Sequence, residues 1–395
     1  MSASPLSKQT AIVGGLVTAA VFLLVIMYSS PLWWVSLTAP NYPPEAFPDG
    51  VRIQFHMNGV FNGCSKVEKT EIVEDEALDC VHEMDTINHY VGMYPIAAGG
   101  PVERAFSQFL VAFLLVMLLG FVCVNPKVRS IIMALGFGAI FVWMYFTFYG
   151  DDGISLENEG YIFAMVNSMD QDASDKDAGS GSLDIGSSWL IRMKKELEAS
   201  GIEVESTSTE TEVVQEVSDK ERLVESMEIT YGIKQYGVER EPWNGSGFQV
   251  MAWHYEKSLG RYFNNPDEIM PMVATLKLAL LVVFWAIAAA MLFLVVAVRR
   301  NGGLFYWLLV LVPMALPIFF MMEYSAWLWW FGHNLNEMGA FTVKPFMPTV
   351  FGQGKVAQFT THSYPDIGFG LMMLSSILLA AAAFVRRKQF SSKEG

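Results

Sequence analysis

Six uninterrupted apolar runs limit what this chain can fold into. A helix needs about 20 apolar residues to cross about 30 Å of hydrocarbon. Lipid offers no hydrogen bonds, so each such run must pair its own backbone groups and reads as a helix. The runs cover residues 11–31, 105–125, 130–149, 273–298, 304–331 and 367–385. They predict a membrane all-α fold, a six-transmembrane-helix bundle carrying partly β or α+β loop domains. The first run is longer than a secretory signal core and lacks a small-residue cleavage site, so it is expected to remain as an anchor. Trp33 and Trp34 follow it, as an interfacial aromatic belt would.

Short-loop charge predicts the sidedness. With alternating spans, residues 1–10, the links at 126–129 and 299–303, and the tail 386–395 share one side. They hold Lys8, Lys127, Arg129, Arg299, Arg300, Arg386, Arg387, Lys388 and Lys393 against a single acid, Glu394. That side is expected to be the cytoplasm of a bacterial cell, with both termini in it. The segments 32–104, 150–272 and 332–366 then lie outside the inner membrane. The net charge of −14 is local: residues 151–270 carry 25 acids against 10 Lys and Arg. Such acidity argues against nucleic acid or an anionic lipid surface as a partner. The expected partners are the bilayer and a periplasmic or membrane protein.

Of the three cysteines, Cys64 and Cys80 fall in the first outer segment, where an oxidising compartment would pair them. That cross-link would contribute about 3 kcal/mol in the chain-entropy model. Cys123 ends the second span and is expected to stay a packing thiol. Residues 51–55 alternate as a strand does, with Val51, Ile53 and Phe55 on one face. Residues 187–201 have a serine cap, helical spacing and a glycine stop, and residues 247–263 read as a helix leading to the membrane. The segment 332–366 has too little apolar content to fold alone and should pack on the other outer segments.

Candidate chemistry concentrates outside the spans. His56, His82, His89, His254, His333 and His362 all fall there, with methionines near most of them. Imidazole and thioether suit copper, and thioether favours its reduced form. His89 and Met93 are spaced to share a helical face, and His333 is the third candidate ligand. Histidine is also excluded from hydrocarbon, so structural roles for these residues stand beside the metal reading. Glu323 is the one acid within a predicted span, and an intramembrane carboxylate is a candidate ion or proton site. Lys277, near the outer end of the fourth span, could pair with it. Pro313 and Pro317 should kink the fifth span below Glu323. The chain has no phosphate-binding loop, no nucleophile elbow and no haem attachment motif, so a non-enzymatic role is expected.

Three stretches carry a resemblance: PLWWVSLTAPNYPPEAFPDGVRI, DTINHYVGMYPI and VKPFMPTVFGQGKVAQFTTHSYPDIGF. They resemble a family of bacterial polytopic membrane proteins often associated with nitrous oxide reductase and copper-maturation gene clusters. The matching positions are Asn88, His89, Tyr90, Gly92 and Met93, then Pro348, Gly352, Lys355 and Phe359. The resemblance covers about half the chain and leaves the acidic 150–250 region without a counterpart. It implies an accessory protein of copper-dependent or nitrous oxide respiration, acting by metal handling or enzyme docking. A metal-free scaffold or assembly factor is the second reading, and a small-solute or ion transporter using Glu323 the third.

Overall fold

The computed structural model describes residues 5–40, 42–44, 47–63, 101–159, 161–162, 165, 219–232, 241–262, 266–299, 303–338, 347–356 and 358–394. The helices, in chain order, are α1 (Pro5–Tyr28), α2 (Pro101–Val122), α3 (Pro126–Tyr149), α4 (Asp219–Gly232) and α5 (Gly247–Tyr262). They continue with α6 (Pro266–Ala297), α7 (Leu304–Met314), α8 (Leu316–Met338) and α9 (Ile367–Glu394). Five of these are long and apolar enough to cross a membrane, or six spans in all if α7 and α8 count as one broken span. Their outward faces are apolar: Leu135 is 70% exposed and Phe384 73%. Apolar outward faces on helices of this length suit contact with lipid.

Within the bundle α1 lies along α9. Val13, Val17, Ala20, Leu24 and Met27 form the buried stripe of α1, at the three- and four-residue spacing of one helical face. The Ser375 hydroxyl of α9 donates to the Ala20 carbonyl at 3.3 Å. The turn between α2 and α3 is short because Asn125 caps α3, its side chain accepting from the Lys127 N–H at 3.0 Å, with Pro126 in the first helical position.

The fifth predicted span is not continuous. It breaks at Ala315, where α7 and α8 meet at 60°. Pro313 and Pro317 flank the break, and each removes a backbone donor and crowds the carbonyl four residues earlier. The helix that follows Pro266 begins ahead of the expected boundary at 273, and α9 runs on through the basic tail.

A five-stranded antiparallel sheet caps one end of the bundle. Its strands are β1 (Trp33–Thr38), β2 (Val51–His56), β3 (Gly59–Asn62), β4 (Gly352–Val356) and β5 (Phe359–Pro365), in the order β3-β2-β1-β5-β4. The central strand, β1, follows α1 almost directly, and its neighbour β5 leads into α9. Val35 faces Ile53 on one side and Ser363 on the other. The strand predicted at 51–55 is present as β2, and the 332–366 segment supplies β4 and β5. Trp33 is not part of an interfacial belt. Strand alternation turns Trp33 inward, where it is 1% exposed against Phe320, Tyr324 and Phe369. Trp34, on the opposite face, lies under the Arg52 guanidinium at 4.5 Å.

Hydrogen bonds weld the sheet to the helix ends. The Leu32 N–H donates to the Phe55 carbonyl (2.7 Å), Asp366 N–H to the Leu32 carbonyl (2.9 Å) and Gly368 N–H to the Pro31 carbonyl (2.8 Å). Asp366 also caps α9, accepting from the Ile367 N–H at 2.7 Å, and pairs with Arg52 at 3.3 Å. Its carboxylate suits the positive end of the helix dipole.

Candidate functional site

The sequence-predicted candidates separate. Cys64, Cys80, His82, His89 and Met93 lie outside the described residues, as does the helix expected at 187–201. His333 sits exposed on α8, with its ring stacked on Trp329 at 4.4 Å. Its Nδ1 lies 2.7 Å from the Trp329 carbonyl, which can only accept, so Nδ1 carries the proton. In the neutral ring the lone pair is then on Nε2. Glu323 is partly exposed on α8 and Lys277 exposed on α6, and these two helices share no extensive contact. Cys123 is a free thiol. Among the described residues, no group of three His, Cys, Asp or Glu could hold a metal ion.

Two of the other described histidines are built into the sheet, and the third lies on a helix. His362 of β5 lies with Nε2 3.3 Å from the Thr38 hydroxyl of β1. His56 of β2 meets Phe61 of β3 edge to face. Burial pushes the His56 pKa down, opposed by the Ser29 carbonyl and Asp366. His254 on α5 is 3% exposed.

A buried polar centre that the sequence reading missed lies between α2 and a 3-10 turn, Gly153–Leu156. Glu157, 1% exposed, ends that turn. Its Oε2 accepts from Gln108 Nε2 of α2 at 2.8 Å, while Oε1 is buried with no hydrogen-bond partner. The same amide of Gln108 lies 3.4 Å from the Leu156 carbonyl, to which the Trp143 indole of α3 donates at 3.3 Å. Lys220 of α4 donates to the Glu157 main-chain carbonyl at 2.6 Å. Residues 156 and 157 thus tie three helices together. Around them stand Tyr28 of α1, whose hydroxyl lies 3.4 Å from that of Ser107, and Arg104, whose guanidinium covers the Tyr161 ring at 5.6 Å.

Electrostatics follow from this burial. Desolvation drives the Glu157 carboxyl well above the usual carboxylate range, opposed by the Asn158 N–H and the Lys220 ammonium. Burial also raises Tyr161, whose hydroxyl has no hydrogen-bond partner; Glu157 adds to that rise and Arg104 opposes it. A neutral carboxyl is the form such a site favours, and its elementary chemistry is to hold and release a proton. One sequence signal pointed here: Arg104, Ser107 and Gln108 put three polar residues on one face of an otherwise apolar helix. Nothing in the local sequence distinguishes Glu157 from its exposed neighbours Asp151, Asp152 and Glu159.

The opposite end of the bundle holds two fully buried arginines. Arg129 Nε and Nη2 donate to the Cys123 carbonyl at 3.1 and 2.7 Å, and Nη1 to the Val298 carbonyl at 3.0 Å. Arg386 Nη2 donates to the Val122 carbonyl and Nη1 to the Gln389 side chain, both near 2.8 Å. The Tyr306 ring lies under Arg129 at 4.4 Å, and its hydroxyl donates to the Phe121 carbonyl. These carbonyls end α2 and α6, where helix dipoles place partial negative charge and main-chain acceptors lack helical donors. The arginines act as bolts through the helix ends.

The apolar helices, the sheet over one end and the two buried polar layers define a helical membrane protein with a small antiparallel cap. No family model, no curated protein and no solved structure matches the chain.

Proposed function

We propose that this protein is a non-enzymatic accessory protein of a bacterial inner membrane, whose sheet end faces outward and docks a partner protein. The observation that carries this reading is the β1–β5 pairing, which joins the strand after α1 to the strand before α9 and fixes the sheet to the spans. A platform held by two membrane helices presents side chains in fixed positions, which lowers the ordering cost of association. The described histidines of the cap, tied into strand and helix contacts, suit a scaffold. Sidedness follows from the basic residues Lys127, Arg129, Arg299, Arg387 and Lys388 at the end away from the sheet, taken as cytoplasmic. The family resemblance narrows the process to copper-dependent or nitrous oxide respiration.

Photo-crosslinking in intact cells tests the docking. A crosslinker at exposed Phe351 or Lys355 on the sheet end should form a discrete protein adduct, and one at lipid-facing Leu135 should not. Lack of an adduct from both sheet positions would remove the proposal. A single cysteine at Phe351 should react with a membrane-impermeant maleimide in spheroplasts; protection there would reverse the sidedness.

A second reading, copper handling by His89, Met93 and His333, draws on one observation. The His333 Nδ1–H is held by a main-chain carbonyl, which fixes the ring and directs the Nε2 lone pair to a ligand, as in many metal-binding histidines. Metal analysis of the detergent-solubilised protein should then find copper that His89→Ala and His333→Ala both release. Metal-free protein after copper loading would leave the scaffold alone.

A further inference from the structure

Glu157 stands out among the titratable groups because its turn is held by three separate helices. Gln108 holds Oε2 from α2, Trp143 of α3 holds the adjacent Leu156 carbonyl, and Lys220 reaches the Glu157 carbonyl from α4. The second carboxyl oxygen is buried without a donor. An ionised carboxylate there would have a full lone-pair set facing a site that supplies one side-chain donor. A buried charge in that state is costly and recruits water.

We propose that Glu157 is a proton-binding site that latches α4 onto the bundle: the neutral carboxyl keeps the 153–157 turn closed on α2 and α4, and loss of its proton loosens that contact. The charged and titratable groups around it are Tyr28 on α1, Arg104 on α2, Tyr161 just beyond the turn and Lys220 on α4. From α3 the turn receives the neutral Trp143, and α5, which also packs on it, carries the buried His254. Burial disfavours the ionised form, and the Asn158 N–H and the Lys220 ammonium oppose that. Burial raises the folded carboxyl above its unfolded range, so the latch is complete in acid. It weakens as pH rises from the ordinary Glu value of about 4.3 toward the folded one.

The test is hydrogen exchange of the full chain in nanodiscs from pH 5 to pH 8, corrected for the intrinsic rate at each pH. In the unaltered protein, protection of peptides covering 153–162 and 219–232 should fall several-fold as pH rises. Glu157→Gln keeps an acceptor for Gln108 and cannot ionise, so both peptides should stay protected at every pH. A flat profile in the unaltered protein, or an unchanged slope in Glu157→Gln, overturns the latch. Difference infrared spectra of the unaltered protein give an independent reading: a buried protonated-carboxyl band should fade between the same limits, and its absence at pH 5 overturns the proposal. The assay contains no partner, so its failure leaves the docking reading untouched.

Discussion

The Trp33 indole donates to the Ser363 hydroxyl across 2.8 Å, a bond between residues 330 positions apart. The Ser363 hydroxyl in turn donates a hydrogen bond to the Val350 carbonyl, also at 2.8 Å. The indole meanwhile touches Phe320, Tyr324, Phe351 and Phe369. One side chain therefore joins β1, β5, the segment before β4, α8 and α9. Removing it should cost about 3–5 kcal/mol, the range for a large core aromatic replaced by alanine. Thermal unfolding of Trp33→Ala in detergent measures this. Trp33→Phe, which keeps most of the apolar contact and loses the donor, should cost less, about 1 kcal/mol for the hydrogen bond plus the lost ring area.

Gly368 tests the weld between the sheet and α9. A Cβ built there would lie 2.6 Å from the Pro31 carbonyl oxygen, which is backbone and cannot swing aside. The Gly368 N–H also donates to that carbonyl, so a side chain forces the bond open. Gly368→Ala should destabilise by about 1–3 kcal/mol, the range for overpacking. Exchange of strand β1 amides should rise, while the α2–α3 pair stays protected.

The buried guanidinium of Arg129 spans two helix ends, clamping Cys123 and Val298 together. Arg129→Ala leaves both carbonyls without this donor, at about 1–3 kcal/mol each. Lysine cannot reproduce the fork, having a single compact ammonium. Arg129→Lys should therefore recover less than half of the lost thermal stability; full recovery would show that charge alone matters.

His56 should give a pH dependence opposite in sign to that of Glu157. Burial lowers the folded imidazole pKa, so the unfolded ring binds its proton first as pH falls. Stability from the neutral ring is complete above about pH 6.5 and is lost on going down toward the folded value. Protection of β2 and β3 should thus decline in mild acid, where the α4 contact tightens. His56→Gln should flatten the β2 and β3 response and leave α4 unchanged.

Local sequence was informative where one residue type repeats a single physical demand. The spans, β2, the helix at 247 and the proline break near Glu323 were legible because hydropathy period and ring geometry are properties of contiguous residues. The expected 304–331 span differed in form because two prolines four apart act together at Ala315, and the size of a bend depends on what the next helix packs against. Trp33 shows the other limit. Two tryptophans after an apolar run look alike in sequence, yet alternation in β1 buries one and leaves the other beneath Arg52 on the opposite face.

Composition and order alone determined a membrane-spanning helical chain with basic links gathered at one end, because desolvation of a backbone without partners allows little else. Only the tertiary structure decided which polar residues matter in the interior. Glu157 is one acid among many in its stretch, and it becomes a proton site because Gln108, Trp143 and Lys220 converge on its turn from three other helices. Arg129 and Arg386 read as cytoplasmic charges, and they become bolts because helix carbonyls end beside them. Burial and hydrogen-bond partners are set by residues far away in the chain, and those distances close only on folding.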